Sequence, residues 1–229
     1  MSRLRYVGGS KPSMIINHED QDYLKIGLKH NNGAYYYSKE ICENIIPRVK
    51  TDRSWITVNS EHKCTDHAIV WIHNNEAPDH YDHLVNYKDL ILICVFPSTL
   101  RAMIERHPKC HCIYLPLSID IDYVKKFKAK RKTKSTCYFG RMAKCPLEIA
   151  ENEKIDKIYG NSRDDLLTKV SKYKTVYAVD RCALEAKALG CKVIPCCLEY
   201  NKGDKFALID NKETAKELQR LLNEIDGKV

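Results

Sequence analysis

The chain is predicted to be an α/β protein built as two Rossmann-like domains facing a cleft. Three observations carry that expectation. Apolar, β-branched runs alternate with helix-like runs, as parallel strands buried on both faces require. The alternation stops at a strongly basic stretch and starts again behind it. Glycines directly follow several strand candidates, where the chain turns and a backbone can approach a ligand closely. The domains are expected at residues 1–124 and 135–229, joined by a basic linker at 125–134.

In the first half, "LRYV" (4–7) runs into Gly8 and Gly9 and reads as the opening strand. "SWITVN" (54–59), "HAIVWIH" (67–73), "DLILICVF" (89–96) and "CHCIYL" (110–115) are strand candidates rich in Ile and Val. Between the last two, "PSTLRAMIERH" is helical: Pro97 suits the first helical position, and Leu100, Met103 and Ile104 keep helical spacing.

In the second half, "STCYFG" (135–140) and "KIDKIYG" (154–160) are strands that end on glycine. "NSRDDLLTKVSKY" is a helix with Ser162 and Asp165 at capping-box spacing. "KTVYAV" (174–179) is a third strand, "DRCALEAKALG" a helix, and "KVIPC" (192–196) a fourth strand. "NKETAKELQRLLNEI" (211–225) closes the chain as an amphipathic helix of the second domain.

Composition narrows the class. With 229 residues, 44% hydrophobic and 30% charged, the chain suits one large or two small globular domains. No apolar run approaches the roughly 18 residues of a membrane span, and the N-terminus lacks the apolar core of a signal peptide. Eleven scattered cysteines without a secretion signal read as reduced thiols of a cytoplasmic protein. The net charge of +8 suggests an anionic partner. Seven Lys/Arg fall in "KKFKAKRKTK" (125–134). That run reads as a solvated linker, as a phosphate-contacting strip of Lys128, Lys130, Arg131 and Lys132 against nucleic acid, or as a membrane-surface patch.

Ligands of doubly wound sheets bind beyond the carboxyl ends of the strands, so residues just after strands are the site candidates. Asp180 suits an N-cap, and the amides of Arg181, Cys182 and their successor then offer an anion site. One turn on, Glu185 falls toward the apolar side of its helix, where a buried carboxylate needs a partner. It either reaches water or a lysine from the edge of the stripe, or accepts from ligand hydroxyls such as a ribose. Gly140 and Arg141 follow the first strand of the second half, with Lys144 three residues on. This cationic pair could neutralise a diphosphate leaving group. Gly160 ends the next strand. In the first half His73 ends a strand, either as a structural histidine or as a base toward an acceptor hydroxyl. "HPKCHC" and "EHKCTDH" do not match paired metal-ligand spacing, and no metal is expected.

Taken in order, these segments resemble the GT-B glycosyltransferases of the group 1, family-4-like type. "CYFGRMAK" is similar to the segment that opens their C-terminal domain, and "IYLPLSIDIDYV" to the one just before it. "ALEAKALGCKVIP" resembles their "lLEAmAcGtPVI", and "FALIDNKETAKELQRLLNEI" their C-terminal tail. The resemblance spans about residue 89 to the end in an unusually short chain. It implies a nucleoside diphosphate sugar as co-substrate, a UDP-sugar first among them, with no required cofactor. Transfer would be to a hydroxyl acceptor with retention. It also implies diphosphate contacts from Arg141 and Lys144 and a ribose contact from Glu185. The family's first glutamate, which meets the sugar, falls at Tyr177, and Asp180 is the stand-in for sugar contacts. The small acceptor domain and the basic run fit a DNA acceptor, such as the hydroxylated bases that some phages glycosylate, which would put the protein in the host cytoplasm. The alternative is a non-catalytic module of the same fold that binds nucleotide or nucleic acid. A dinucleotide enzyme is disfavoured because no G-x-G-x-x-G follows "LRYV".

Overall fold

The structure is a computed structural model that describes residues 4–6, 16–17, 33–57, 64–72, 78–160, 162–196 and 207–227. The protein is α/β and divides into two units, Met1–Pro116 with Asn211–Val229, and Leu117–Asp210.

The first unit is built on a six-stranded sheet of order β2-β1-β3-β4-β5-β6. Its strands are β1 (Leu4–Tyr6), β2 (Ile16–Asn17), β3 (Ser54–Thr57), β4 (Ala68–Ile72), β5 (Leu90–Cys94) and β6 (His111–Tyr114). All neighbours pair in parallel except β1 with β2. Every residue of β4 and β5 is buried, which is why both read as unbroken apolar runs and not as alternating ones. The helix Pro97–Arg106 starts at Pro97 as expected, and buries Thr99 and Met103.

The second unit carries four parallel strands in the order β10-β9-β7-β8. These are β7 (Lys134–Phe139), β8 (Asp156–Ile158), β9 (Tyr173–Ala178) and β10 (Lys192–Pro195). From β7 the chain steps outward to β8, then returns to the other flank of β7 to form β9, so the winding reverses between β7 and β9. Ser162 caps the helix Arg163–Val170: its hydroxyl accepts from the Asp165 amide at 3.3 Å and donates to the Asp165 carboxylate at 2.7 Å. The chain enters and leaves this unit side by side, with the Ile119 amide donating to the Ile209 carbonyl at 3.2 Å.

Two boundary expectations are corrected. The chain passes into the second unit at Leu117, so 125–134 is part of that unit and not a linker. The Lys132 ammonium explains why: it donates to the carbonyls of Ser171 (2.7 Å) and Leu189 (2.9 Å) and contacts Cys191 Sγ at 3.1 Å. Those carbonyls sit at the C-caps of two helices, where acceptors lack intrahelical donors. Backbone amides of Thr133 and Lys134 also donate to Lys172, at 2.9 and 3.0 Å.

The helix Asn211–Ile225 belongs to the first unit and not to the second. Its stripe of Thr214, Ala215, Leu218 and Leu222 is buried. Polar ties fix both of its ends within that unit. Buried Asn211 donates to Glu40 Oε2 at 3.0 Å, and Arg53 pairs with Asp226 at 2.9 Å. Amphipathicity gave the helix and its buried face, but it does not say which sheet that face covers.

Among the described residues no helix is long and apolar enough to cross a membrane. The ten described cysteines are free thiols. Burial pushes the Cys137 thiol up to about 12 and the Cys112 thiol up to about 11, so both stay protonated near neutrality.

Candidate functional site

The switch between β7 and β9 gathers several of the residues singled out from sequence. Gly140 follows β7 with φ +155°, and a Cβ there would lie 2.8 Å from Val179 Cγ2 and 2.9 Å from the Tyr138 hydroxyl. Only glycine lets the β7 turn pass this close to the end of β9. The Tyr138 hydroxyl holds the turn by donating to the Arg141 carbonyl at 2.7 Å, and Arg141 itself is exposed.

Asp180 is not the N-cap. Val179 holds that position in extended conformation, and no side chain caps the helix Asp180–Ala188. Asp180 is its first residue and adopts φ +43°, a left-handed conformation that costs an L-residue about 1–2 kcal/mol. Its carboxylate turns to Lys144, whose ammonium donates to Oδ2 at 3.2 Å. The pair ties the turn after β7 to the turn after β9 and is partly exposed, with side-chain accessibilities of 34% and 25%. The leading amides of the helix have no intrahelical acceptor and point along the axis beyond the strand ends.

Glu185 is 4% exposed, and the partners that reach it are two arginines. Its Oε1 accepts from Nε of Arg163 at 3.1 Å and from Nε of Arg181 at 3.0 Å. Two guanidiniums therefore share one carboxylate oxygen, and both arginine side chains are 11% exposed. Arg163 also lies over the Tyr123 ring, 5.0 Å from its centroid, and the Tyr123 hydroxyl bonds Asp164. Neither Arg163 nor Tyr123 stood out in the sequence. An arginine after a helix cap looks like any solvent-facing residue until its partner, 22 positions away, is in place. Burial and the nearby Glu185 carboxylate push the Cys182 thiol well above its usual range, so it is an inert residue at the helix start.

Tyr177, at the position of the expected sugar-contacting glutamate, packs against the buried cluster of Tyr138, Ile149 and Ile155. Gly160, after β8, has φ +74° and no atom within 4 Å of where a Cβ would stand. His73 lies outside the described residues.

The basic run is not at this edge. Lys128, Lys130 and Arg131 are exposed, whereas Lys132 is spent on the helix C-caps described above and is removed from the anion-binding set. Among the described residues no group of three or more His, Cys, Asp or Glu side chains is placed to hold a metal ion. No protein-family model, no curated protein and no solved structure matches the chain.

Proposed function

We propose that the second unit binds a nucleoside diphosphate sugar at the carboxyl edge of its sheet and that the protein transfers the sugar to a hydroxyl acceptor. In this reading the two units form a GT-B type enzyme. The observation that supports it best is the conjunction at the β7/β9 switch of a glycine-tight turn, an uncapped helix start and the cations Arg141 and Lys144. Crevices at such switch points are where open α/β sheets take phosphorylated ligands. Transfer breaks the bond between the anomeric carbon and the diphosphate and joins that carbon to the acceptor oxygen. The acceptor proton leaves with the diphosphate. Arg141 and Lys144 neutralise the charge that develops on the leaving group. Asp180, released from Lys144 when the diphosphate takes its place, faces the sugar. Glu185 acts in this scheme by holding Arg163 and Arg181 in position beneath the helix start through its Oε1.

The test is a calorimetric and thermal-shift panel of nucleoside diphosphate sugars, beginning with UDP-sugars. A cognate donor at a hundred times its Kd adds about 2.7 kcal/mol of stability. Arg141→Gln with Lys144→Gln should abolish that gain, each protein's donor shift being read against its own unliganded melting temperature. No response to any donor would sink the reading. The second reading, a nucleotide-binding module without turnover, draws on Tyr177, which stands packed in the apolar cluster where the family places a glutamate. Donor binding with neither transfer nor donor hydrolysis would select it.

A further inference from the structure

The opposite edge of the same sheet has a different character. Three separate stretches meet at the amino ends of β7, β9 and β10: residues 125–134, 169–174 and 187–192. Together they hold twelve Lys/Arg and no Asp or Glu, although Lys126 lies over the Tyr123 ring and not at the strand starts. The fold, not the sequence, brings them together. Lys134 opens β7 and lies in register with Tyr173, next to Lys172 and Lys174 at the start of β9. Lys192 opens β10 opposite Thr175. The bonds from Lys132 to Ser171 and Leu189 draw the 125–134 segment against the ends of both helices. Lys128 then passes 3.2 Å from where a Cβ of Gly190 would stand.

Lys128, Lys130, Arg131, Lys169, Lys172, Lys174 and Lys192 are all exposed here. Asp156 at the start of β8 is engaged by Lys134 at 3.2 Å and by the Tyr173 hydroxyl, and bounds the face on one side. Strands stand about 4.8 Å apart, so a cation at each strand start makes a row fixed by the backbone rather than a flexible tail. Concentrating like charge on one rigid edge is costly without an anionic partner.

We infer that this amino edge is a docking face for the phosphate backbone of a double-stranded nucleic acid, without base-sequence preference. Three features select that occupant. The cations are nearly all lysines, which act as point charges on phosphates rather than as bidentate readers of bases. The aromatic residues of the three stretches are taken: Tyr173 is buried and Phe127 packs edge-on against Tyr123, so the face offers no platform for stacking unpaired bases. None of the large exposed apolar residues among those described (Val85, Ile104, Tyr114, Leu147, Tyr159) lies in the stretches, so the anchor that lets a protein hold an anionic bilayer is missing from this face. The six residues of β9 span about 20 Å, so a duplex held here sits a full strand length from the β7/β9 switch. The face tethers the protein to the duplex, and this holds whatever ligand the carboxyl edge takes.

Fluorescence anisotropy with labelled 20-base-pair duplexes of two unrelated sequences tests the inference on the full chain. Both should bind equally, with affinity falling steeply as salt rises. The variant Lys130→Gln, Arg131→Gln, Lys172→Gln, Lys174→Gln should lose at least about tenfold in affinity at low salt and show a shallower salt slope. Its melting temperature and its donor response should match the parent protein. A control variant that removes three exposed cations of the first unit (Arg101→Gln, Lys109→Gln, Lys216→Gln) should bind like the parent. Equal losses in both variants, no binding at 50 mM salt or below, tighter binding to single strands, or tighter binding to phosphatidylserine vesicles would each overturn the proposal.

Discussion

The two edges of the second sheet are made by the same four strands, yet they spend charge in opposite ways. At the carboxyl edge the largely buried Arg163 and Arg181 share Glu185, and the partly exposed Lys144 meets Asp180. Asp180 adds a left-handed backbone there, beside a turn at Gly140 that only glycine fits. At the amino edge Lys128, Lys130, Arg131, Lys172, Lys174 and Lys192 stand in solvent, while Lys132 turns inward onto the helix ends. The comparison teaches that the first edge is held in one geometry by groups that cannot be removed singly. The second edge can lose its exposed cations, though not Lys132, without consequence for the fold. Preorganisation of that kind suits a site that must fix a small ligand, and a repeated surface charge suits a polymer.

The sharpest way to break this contrast is Glu185→Ala. It leaves two largely buried guanidiniums without their carboxylate, and urea unfolding should show a loss of about 3–5 kcal/mol. A triple change to apolar residues, Arg163→Met, Arg181→Met and Glu185→Leu, should recover most of that loss, because it removes charge and partner together.

Gly140→Ala comes next. Backbone strain and contacts under 3 Å with Val179 and Tyr138 should together cost about 2–4 kcal/mol. Gly160→Ala, with a left-handed φ but open space, should cost only about 1 kcal/mol in the same denaturation experiment. Equal effects at the two glycines would mean that strand-end packing is not what holds the switch.

Within the basic run, Lys132→Ala should destabilise by about 1–3 kcal/mol, because two helix-terminal carbonyls lose a charged donor. Lys130→Ala, two residues away and exposed, should stay within about 0.5 kcal/mol of the parent.

The smallest effect concerns Asp156. Hydrogen bonds from Tyr173 and then Lys134 hold its carboxyl below the ordinary value of 3.8. A depressed carboxyl contributes stability that is present above its unfolded pKa and is lost as pH falls through the folded one. Acid titration of the parent should therefore show a slightly steeper loss of stability below about pH 4 than Asp156→Asn does.

Much of the architecture was legible in the chain. Strands such as "DLILIC" announce themselves because a strand buried on both faces needs an unbroken apolar run. Ser162 and Asp165 announce a helix start because a capping box uses neighbours in sequence. The glycine after β7 and the cations behind it were legible for the same local reason. The partners of Glu185 were not. Helical periodicity shows that a carboxylate faces inward, but the two arginines that satisfy it come from its own helix and from the one before. Nor did the basic run disclose that Lys132 turns inward while its neighbours face solvent, since all of them look alike as letters.

The sequence by itself determined most of the strands, the helices at 97–106, 163–170 and 211–225, and which residues follow strand ends. These depend on local propensity, on apolar period and on hydrogen bonds between near neighbours. Only the tertiary structure decided that residues 211–225 cover the first sheet and not the second, that Arg163 and Arg181 converge on Glu185, and that three distant basic stretches form one edge. Those outcomes depend on which surfaces meet, and a one-dimensional pattern gives an apolar face or a charge without naming what it will touch.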